Sequence, residues 1–492
     1  MSGKKILCRA DGNSNTGLGH MYRMLAIAAF YKEQYELVFL TDNTSVISII
    51  PNEYTIELIP KGVLISDEPK WISTEFNPSE YIIIADGYQF VSSYQKEIKE
   101  YGYTLMYVDD LTTEQMYADV VINHSPHCTA KDFKAEYYTQ YALGTDYAML
   151  RPKFNELALL KRDITNIENA FVCFGGADQY DLSLKAAMGL LNNKNIKEIH
   201  VVLGGAYIHQ KIYDVAKDNE KVHLHKNLDE VSLCELMQSC QIAIAPSSTI
   251  LYELCSVKMP ILSGYFVDNQ KYINTALAEK GVIFNGGDFR NYTRVDFQYK
   301  IENILENVDI ENCILRQQKL FDGKNKRRFL SLLNKLHITC RKATEQDLIQ
   351  VYDWSNDKLV RENSYHSEPI ELINHTNWFL KKIKDSKTLF LIVEINNNPA
   401  GVVRFDITDI NSVVGIIVSR EYRGQKLSSK FLEEGAKMYF KVHNKPVYAY
   451  IKKKNIASIK SFENAKYTYF KEEVINGSNS FVYKLEKNDV IK

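Results

Sequence analysis

The sequence predicts an α/β protein with three successive domains, two on parallel sheets and a third of α+β character. Its 492 residues are too many for one hydrophobic core and favour roughly three domains. Short apolar runs alternate with helical periodicity through the first two-thirds, a pattern typical of β-α-β units in a doubly wound parallel sheet. From about His337 the strand-like runs follow one another across short turns, which indicates a sheet that begins antiparallel.

The predicted first domain covers residues 1–150 and the second covers residues 151–330. The expected elements of the first are strands at Lys5–Arg9, Leu37–Thr41, Ile82–Ala85, Leu105–Val108 and Val120–Ile122, and a helix at His20–Gln34. Those of the second are strands at Ala170–Phe174, His200–Leu203, Ile242–Ala245 and Pro260–Leu262, and helices at Lys185–Leu191 and Ile250–Ser256. We expect the two halves to face each other across a cleft, with the ligand at the carboxyl ends of their strands.

The predicted third domain covers residues 337–487 and follows a boundary near residues 325–337. Its expected elements are strands at Ile338–Arg341, Leu389–Ile395, Ala400–Ile407, Val413–Val418 and Val447–Ile451, and helices at Glu345–Asn356, Ser428–Phe440 and Ala457–Asn464. A turn of three asparagines, residues 396–398, separates the second and third of these strands. The basic run Lys324–Arg328 before the domain is typical of a solvated helix end or a linker.

Composition and charge exclude several classes of function. The formal net charge is −1, so no long-range field favours nucleic acid or an anionic membrane as a partner. No apolar run approaches the roughly 18 residues of a membrane span, and the first strand meets Arg9 and Asp11 too early for a signal peptide. The eight cysteines include no C-x-x-C pair, which argues against a zinc or disulfide framework. We therefore expect a cytoplasmic protein without a structural zinc site, and its oligomeric state stays open.

The first candidate site is the glycine-rich segment between the first strand and the first helix. Gly17 and Gly19 allow backbone N–H groups to approach an anion or a sugar oxygen, and the helix N-terminus adds partial positive charge. His20 at the mouth of this helix is a candidate general base, because a helix N-terminus favours neutral imidazole. The alternative is that His20 only caps the helix. Asp11 is a candidate to orient His20 or bind a sugar hydroxyl, or else is an ordinary turn carboxylate.

The second predicted domain supplies a matching set of strand-to-helix turns. Gly175 and Gly176 follow one strand, and Ser248 and Thr249 follow another. Their amides and hydroxyls are suited to a diphosphate, and Glu253, about one helical turn further on, is suited to ribose hydroxyls. The alternative is ordinary N-capping by serine and threonine. All these turns fall on the same edge of the predicted sheets, which favours a binding function.

Several segments occur in one order and together resemble the UDP-sugar hydrolase family of pseudaminic acid biosynthesis: Gly17–Arg23, Tyr147–Pro152, Phe174–Asp178, Ser248–Thr249, Tyr252–Cys255 and Asp268–Gln270. The resemblance spans about residues 4–320. It implies the two-domain arrangement of the GT-B glycosyltransferases and hydrolysis of UDP-2,4-diacetamido-2,4,6-trideoxy-β-L-altrose at its anomeric carbon, without a metal.

The same resemblance implies that His20 is the base for the attacking water. The residues that it matches to the substrate site are Gly17, Gly19, Arg23, Gly175, Gly176, Ser248, Thr249, Glu253, Asn269 and Gln270. One departure concerns the phosphate contacts, because Pro246-Ser247 stands where relatives usually have Gly-Gly, and proline lacks an N–H.

The third domain resembles the GNAT acetyltransferases in the segment that begins at Val418 and ends at Ser429. Arg423 and Gly424 match the family's pyrophosphate loop, whereas Lys426 and Ser428 replace its first and last glycine-type positions. The resemblance implies acetyl-CoA as co-substrate. The implied cofactor contacts are Val418, Arg423, Gly424, Lys426, Ser428, Asn455 and Ser458.

Two features of the predicted acetyltransferase lie outside that loop. Phe462 stands where many relatives carry the tyrosine that reprotonates the thiolate, and we expect it to be a core residue. Glu362 and His366 are candidate bases for the substrate amine, although each is more often a surface polar residue.

Together the resemblances imply acetylation of the C4 amine of a UDP-4-amino-4,6-dideoxy-sugar, followed by hydrolysis that releases UDP. One alternative is a glycosyltransferase fused to an acyltransferase, against which the short acceptor-side loops and the His20 loop argue. Another alternative is a nucleotide-sugar-binding regulator with degenerate sites. The departures at Pro246-Ser247, Lys426 and Phe462 are compatible with this alternative.

Overall fold

The computed structural model describes residues 4–13, 17–307, 310–395 and 398–490. These residues divide into two compact units, of which one spans Lys4–Phe329 and the other begins at Leu330. The unit of Lys4–Phe329 contains two parallel sheets, and the unit that begins at Leu330 contains a mixed sheet. The predicted third domain begins at residue 337, seven residues after the start of this second unit.

The first sheet has seven parallel strands. The strands of this region are β1 (Lys5–Ala10), β2 (Leu37–Asp42), β3 (Thr55–Ile59), β4 (Tyr81–Asp86), β5 (Thr104–Val108), β6 (Gln115–Met116), β7 (Val120–Asn123), β8 (Lys134–Ala135) and β9 (Gln140–Leu143). Its helices are α1 (Gly19–Tyr31), α2 (Glu68–Glu75) and α3 (Ser92–Glu100). The sheet order is β3-β2-β1-β4-β5-β7-β9, while β6 pairs with β8. The chain therefore reverses its direction of growth between β1 and β4, where ligands bind in doubly wound sheets.

The second sheet repeats this order with six parallel strands, β12-β11-β10-β13-β14-β15. They are β10 (Asn169–Cys173), β11 (Glu198–Leu203), β12 (Val222–Lys226), β13 (Ile242–Pro246), β14 (Ile261–Tyr265) and β15 (Phe284–Asp288). The helices that follow are α4 (Pro152–Ala158), α5 (Leu182–Leu191), α6 (Lys211–Asp218), α7 (Glu230–Ser239), α8 (Thr249–Val257), α9 (Asp268–Glu279), α10 (Arg294–Asn307), α11 (Ile310–Leu320) and α12 (Asn325–Leu336). The residues of α12 from Leu330 onwards belong to the second unit. The corresponding point of reversal lies between β10 and β13.

Every strand predicted in these two regions is present, usually one residue longer at one or both ends. The strands that the sequence did not predict lie at or near the sheet margins, among them β3, β12 and β15. Most residues of β3 are exposed or half-buried, so the strand lacks the apolar run by which central strands are recognised. The basic run Lys324–Arg328 lies mostly within the first turn of α12, which confirms the helix-end alternative of the prediction.

The sheet of the second unit has the order β16-β17-β18-β19-β20-β22-β21. Its strands are β16 (Ile338–Lys342), β17 (Thr388–Ile395), β18 (Asn398–Ile407), β19 (Ser412–Val418), β20 (Val447–Lys452), β21 (Thr468–Ile475) and β22 (Ser478–Leu485). Its helices are α13 (Leu348–Asn356), α14 (Lys358–Asn363), α15 (Leu372–Lys384), α16 (Ser428–Val442) and α17 (Ile456–Asn464). The predicted asparagine turn falls partly on residues 396–397, outside the described residues.

Two adjacent strands of this sheet, β19 and β20, separate along their length. β19 and β20 run parallel but pair only at Ser412 with Val447 and at Val413 with Tyr448. All other neighbours in the sheet are antiparallel and pair over most of their length. The backbone of β19 towards Val418 therefore has no paired neighbour on its β20 side, and a gap opens at the carboxyl ends of the two strands.

Within the described ranges, no helix is long and apolar enough to cross a membrane.

Candidate functional sites

His20 lies at the carboxyl edge of the first sheet, at the point of reversal between β1 and β4. It is the second residue of α1, and Nδ1 is 2.6 Å from Oδ1 of Asp86, the last residue of β4. Asp86 is fully buried, and the ring of Tyr88 packs edge-on against the imidazole at 4.8 Å. Nη2 of Arg23 lies 2.9 Å from the same Nδ1 and donates to Oδ1 of Asp86 at 2.7 Å. In the tautomer whose Nδ1–H donates to the carboxylate, Arg23 donates to Asp86 alone and Nε2 of His20 keeps its lone pair. Among the described residues, Nε2 has no hydrogen-bond partner, so this nitrogen is available to a substrate or a water.

Arg23, one helical turn after His20, holds two carboxylates at this edge. Its Nε donates to Oδ2 of Asp86 at 2.9 Å, and its Nη1 donates to Asp110 at 2.6 Å. Burial alone would raise the pKa of the Asp110 carboxyl, but the charge of Arg23 holds it below its ordinary value. Burial would likewise lower the pKa of Arg23, and the two carboxylates raise it instead. Arg23 is therefore a buried cation that is neutralised by two carboxylates, Asp86 at the end of β4 and Asp110 after β5.

His124 follows β7 and completes the group of charged and imidazole side chains at this edge. Its ring stacks on Tyr252 of α8 at 4.5 Å and 10°, and the Tyr252 hydroxyl donates to the His124 carbonyl at 3.1 Å. Burial, reinforced by the charge of Arg23, lowers the pKa of His124 to about 4, so the ring is neutral near pH 7. The stack joins the two parallel-sheet regions next to Arg23. We refer to His20, Arg23, Asp86, Asp110 and His124 as the strand-end cluster.

Asp11 does not contact His20. Its Oδ1 accepts from Arg9 at 2.5 Å, from the Asp42 backbone at 2.7 Å and from Thr41 at 3.1 Å. Burial alone would raise the pKa of the Asp11 carboxyl, but the Arg9 charge and these bonds hold it below its ordinary value. The residue that orients His20 is Asp86, which the sequence analysis did not select.

The glycine-rich loop is described only in part, because Ser14, Asn15 and Thr16 lie outside the described residues. Gly17 has a φ of 75°, and its N–H donates to Asn13 at 2.9 Å. Gly19 begins α1, and a Cβ on it would meet nothing within 4 Å. Leu18, the N-cap residue, forms no side-chain cap at the N-terminus of α1.

In the second sheet, Gly175 and Gly176 follow β10 and are exposed. A Cβ on Gly204, at the end of the neighbouring strand, would lie 2.3 Å from the Gly175 carbonyl oxygen, so the two strand ends approach closely. Asp178 caps α5, since its carboxylate accepts from the N–H groups of Leu182 and Ser183, both at 2.8 Å. The N-terminus of α5 is thus occupied by a carboxylate of the protein itself, and the open amides are those of the glycine turn.

Ser248 and Thr249 lie where β13 passes into α8. Ser248 is the N-cap residue of α8, and both residues are partly exposed. Ser248 makes no side-chain cap, which leaves the first amides of α8 for a ligand. The departure at Pro246-Ser247 lies below this surface: Ser247 is fully buried, and its hydroxyl accepts from Asn274 at 3.0 Å.

Glu253 is buried on α8 and paired with a distant arginine. Arg151 donates to its two oxygens at 2.7 and 2.9 Å, in the bidentate geometry of a strong ion pair. Arg151 also lies over the ring of Tyr22 at 5.9 Å, so it links α8 to α1. At the start of α9, Gln270 is buried and accepts from the Phe266 N–H at 3.2 Å, whereas Asn269 is exposed.

The loop after β19 in the second unit, Arg423–Ser429, lies at the open end of the gap between β19 and β20. Gly424 and Lys426 both have positive φ, 73° and 56°. Lys426 therefore adopts, at a position where the resembling family has glycine, the left-handed backbone that glycine adopts without strain. Leu427 is the N-cap residue of α16 and makes no side-chain cap, so Ser428 begins a helix whose first amides are open.

Arg423 fixes the beginning of this loop. Its Nε donates to the Val418 carbonyl at 2.9 Å, and its Nη1 donates to Asp357 at 2.7 Å. Asp357 also caps α14, accepting from the N–H of Leu359 at 3.0 Å. Val418 and Arg423 are thus tied to each other and to α14 by the protein's own bonds.

The remaining predicted residues of this unit flank the end of β20. Asn455 is the N-cap of α17 and accepts from the Ser458 N–H at 3.1 Å, so its carboxamide oxygen caps the helix. Phe462 is buried and packs edge-on against Tyr467 at 4.9 Å, which confirms the prediction of a core residue. Glu362 and His366 are both exposed. Lys452, the last residue of β20, donates to the Glu362 carbonyl at 3.2 Å and holds this segment at the strand end.

Metal ligands and disulfides were the other candidate features. In the described part of the chain, no group of three or more histidine, cysteine, aspartate and glutamate side chains has an arrangement that could hold a metal ion. All eight cysteines are free thiols.

The N-terminal part of the chain is similar to two named proteins. The chain is 26% identical to the UDP-2,4-diacetamido-2,4,6-trideoxy-beta-L-altropyranose hydrolase of Campylobacter jejuni over 283 residues, which is 56% of this chain and 97% of that enzyme. It is 24% identical to the spore coat polysaccharide biosynthesis protein SpsG of Bacillus subtilis over 342 residues, 67% of this chain and 97% of that protein.

Residues 348–467 match the Acetyltransferase (GNAT) family. An uncharacterized protein of Methanocaldococcus jannaschii, MJ1062, is 23% identical over 98% of this chain and 99% of its own. The spermidine N-acetyltransferase of Vibrio cholerae, solved with CoA and spermine, aligns with 32% of this chain and 99% of its own at 18% identity and a TM-score of 0.29. The predicted fusion is confirmed: the N-terminal part is homologous to the hydrolase and to SpsG, and the C-terminal part carries a GNAT domain.

Proposed function

We propose that this chain, which joins a hydrolase-like region to a GNAT domain, is a bifunctional enzyme of pseudaminic acid biosynthesis or of a related nonulosonic acid. The GNAT domain acetylates the C4 amine of a UDP-4-amino-4,6-dideoxy-sugar with acetyl-CoA. The first unit then hydrolyses the UDP-2,4-diacetamido-2,4,6-trideoxy-sugar. The observation that carries the hydrolase proposal is His20, held by a buried carboxylate at the sheet reversal with Nε2 open.

We further propose that the two parallel-sheet regions adopt a GT-B arrangement with the substrate between them. Three contacts at one place support this proposal. The His124–Tyr252 stack, the Tyr252–His124 hydrogen bond and the packing of Arg151 over Tyr22 join α8 of the second region to the carboxyl edge of the first. The helix whose open amides begin at Ser248 is therefore the same helix that packs against the strand-end cluster.

In the proposed hydrolysis, His20 Nε2 removes a proton from a water that attacks the anomeric carbon. The new bond joins the water oxygen to that carbon, and the bond from the carbon to the diphosphate oxygen breaks. Asp86 stabilises the resulting imidazolium through Nδ1–H, and it is held in place by Arg23. No step in this reaction requires a metal.

The leaving UDP is held by the second region in this proposal. The open N-terminus of α8 at Ser248 and Thr249, together with the glycine turn, supplies backbone amides for the diphosphate. Glu253 is already paired with Arg151, so any contact it makes with the ribose uses an oxygen lone pair that the arginine leaves open. Asn269 and Gln270 at the start of α9 complete the proposed substrate site.

In the proposed acetyl transfer, acetyl-CoA occupies the gap between β19 and β20, with its diphosphate on the Arg423–Ser429 loop. Glu362 and His366 are the candidate bases for the amine, since Lys452 holds their segment at the end of β20. Phe462 cannot return a proton to the thiolate, so another donor or solvent must. The free thiols are consistent with a reducing compartment, and we assign both reactions to the cytoplasm.

One incubation tests both activities. Purified full-length chain is given acetyl-CoA and a UDP-4-amino-4,6-dideoxy-sugar, and the products are identified by mass spectrometry. The proposal predicts an acetylated UDP-sugar first, then UDP and the free diacetamido sugar. Transfer of the sugar to an added acceptor would favour the glycosyltransferase alternative, and no turnover with retained binding would favour the regulator.

The order of the two reactions has its own test. A site shaped around an acetamido group rejects a charged ammonium, because burying that charge without a partner is costly. The kcat/KM for hydrolysis should therefore be higher for the acetylated UDP-sugar than for its 4-amino precursor. Equal values would contradict the ordered pathway and leave the hydrolase assignment intact.

A further inference from the structure

Helix α12 contacts the Arg423–Ser429 loop within the second unit. Ser331 donates its hydroxyl proton to the Gln425 carbonyl at 2.6 Å, and Asn334 donates to the Gln425 side-chain oxygen at 2.7 Å. All three residues are buried. Gln425 lies between Gly424 and Lys426, the two loop residues with positive φ. The helix therefore fixes the middle of the loop at Gln425, whereas Arg423 fixes its beginning.

Lys335 extends the same face of α12. Residues 331, 334 and 335 are spaced by three and four positions, so they lie on one side of the helix. Burial lowers the pKa of Lys335, and the nearby charge of Lys426 lowers it further. Lys335 therefore lies on the helix face that contacts the loop at Gln425, the residue before Lys426, and no carboxylate of the described residues pairs with either lysine.

We propose that α12 completes the acetyl-CoA site: Lys335, with Lys426, binds the diphosphate, and Ser331 and Asn334 are positioning residues that hold the loop through Gln425. This inference rests on the proposed acetyl transfer and adds a ligand from outside the segment that matches the GNAT family, residues 348–467. The open N-terminus of α16 lies at the end of the same loop, and in this proposal its amides bind the same diphosphate as the two ammonium groups.

Calorimetric titration of the full chain with acetyl-CoA tests the role of Lys335. Lys335→Gln should weaken acetyl-CoA binding by roughly 10- to 150-fold, the loss expected for one charged hydrogen bond. Lys426→Gln should weaken it to a similar degree. The matched control is Lys441→Gln, an exposed lysine at the other end of α16, which removes the same charge and should leave the affinity within about twofold. Equal affinities for the wild type and Lys335→Gln would overturn the assignment.

A second ligand identifies the phosphate group that Lys335 binds. The Lys335→Gln penalty should be the same for acetyl-CoA and for 3′-dephospho-acetyl-CoA, because both contain the diphosphate. A penalty that disappears with the dephospho compound would place Lys335 at the ribose phosphate and overturn the diphosphate assignment. A wild-type chain that binds neither compound would overturn the proposed acetyl transfer itself, whereas normal wild-type binding with an unaffected Lys335→Gln overturns only this inference.

Steady-state kinetics test the positioning residues. Asn334→Ala should raise the KM for acetyl-CoA several-fold and leave kcat nearly unchanged, because it loosens the loop without touching the amine. Asn334→Ala combined with Gln425→Ala should be no worse than Gln425→Ala alone, since both remove the same hydrogen bond. Additive losses, or a fall in kcat with unchanged KM, would contradict the positioning role.

Discussion

The two parallel-sheet regions have the same central strand order but very different carboxyl edges. At the first edge, side chains from α1 and from three strand ends are connected by hydrogen bonds. Arg23 donates to Asp86 and Asp110, and Asp86 in turn contacts His20. At the second edge, the candidate groups are backbone amides at a glycine turn and at the uncapped start of α8. The buried charge near it, Glu253, is already paired with Arg151.

This difference indicates that the two regions, although they share one topology, have different roles in the proposed reaction. A proton acceptor needs a side chain whose orientation and partner are fixed, and the first edge supplies one in His20. A diphosphate is well bound by amides and a helix N-terminus, and the second edge supplies both. Variants at the first edge should therefore change the chemical step, and variants at the second should change binding.

The largest effect is expected for His20→Ala. Loss of the general base should lower kcat for hydrolysis by about 10²–10⁴-fold, while the Kd for UDP, measured by calorimetry, should stay within about twofold. His127→Ala is a matched control, because His127 also follows β7 but packs against Tyr272 outside the strand-end cluster. Unchanged turnover in His20→Ala would return His20 to a capping role.

A smaller loss is expected when the residue that orients His20 is changed. Asp86→Asn should lower kcat by about 10–10³-fold and alter the pH–rate profile, because the amide cannot stabilise the imidazolium. Asp110→Asn is the comparison variant: it also takes a carboxylate from Arg23 but makes no hydrogen bond to His20. Equal losses in the two variants would mean that the fixing of Arg23, rather than the orientation of His20, controls the reaction.

At the second edge, Gly176→Val should weaken UDP binding about tenfold. A Cβ on Gly176 meets no atom within 4 Å, so the fold accepts a side chain there, and the added methyl groups occupy space that we assign to the diphosphate. The kcat at saturating substrate should change little. A normal UDP affinity in a folded Gly176→Val protein would remove the glycine turn from the binding site.

The smallest effect concerns stability at acid pH. The pKa of the Asp110 carboxyl is held below its ordinary value by Arg23, against the effect of burial. Its contribution to the free energy of unfolding is therefore complete above the ordinary aspartate pKa and is lost as the pH falls through the lower native value. Urea unfolding from pH 5 downwards should show the wild type and Asp110→Asn converging. A constant difference would mean that Asp110 does not titrate in this way.

Much of this arrangement follows from the sequence alone. The central strands of both sheets are recognisable because each is a short apolar run, and His20, the glycine turns and Ser248 are recognisable because each follows such a run. The same rule would have found Asp86, Asp110 and His124, each of which lies within two residues of the end of a predicted strand. The sequence pattern that indicates these residues, a polar side chain after an apolar run, is present but is only one or two residues long at each strand end.

Other features depend on contacts between distant segments. Arg151 and Glu253 are 102 positions apart, and neither has a local pattern that indicates a buried pair. Asp11 is at a strand end like Asp86, and only the three-dimensional structure assigns it to Arg9 and Thr41 instead of His20. Lys335 lies before the recognisable GNAT segment, so its relation to Lys426 depends on how α12 packs.

The most direct test of the account is the origin of oxygen in the products of hydrolysis. The UDP-2,4-diacetamido-2,4,6-trideoxy-sugar is hydrolysed in water enriched in ¹⁸O, and the fresh products are analysed by mass spectrometry before the free sugar exchanges its anomeric oxygen. If His20 activates water towards the anomeric carbon, the label appears in the sugar and UDP stays unlabelled. Label in the terminal phosphate of UDP would mean that water attacks phosphorus, and it would contradict the role that we assign to the strand-end cluster.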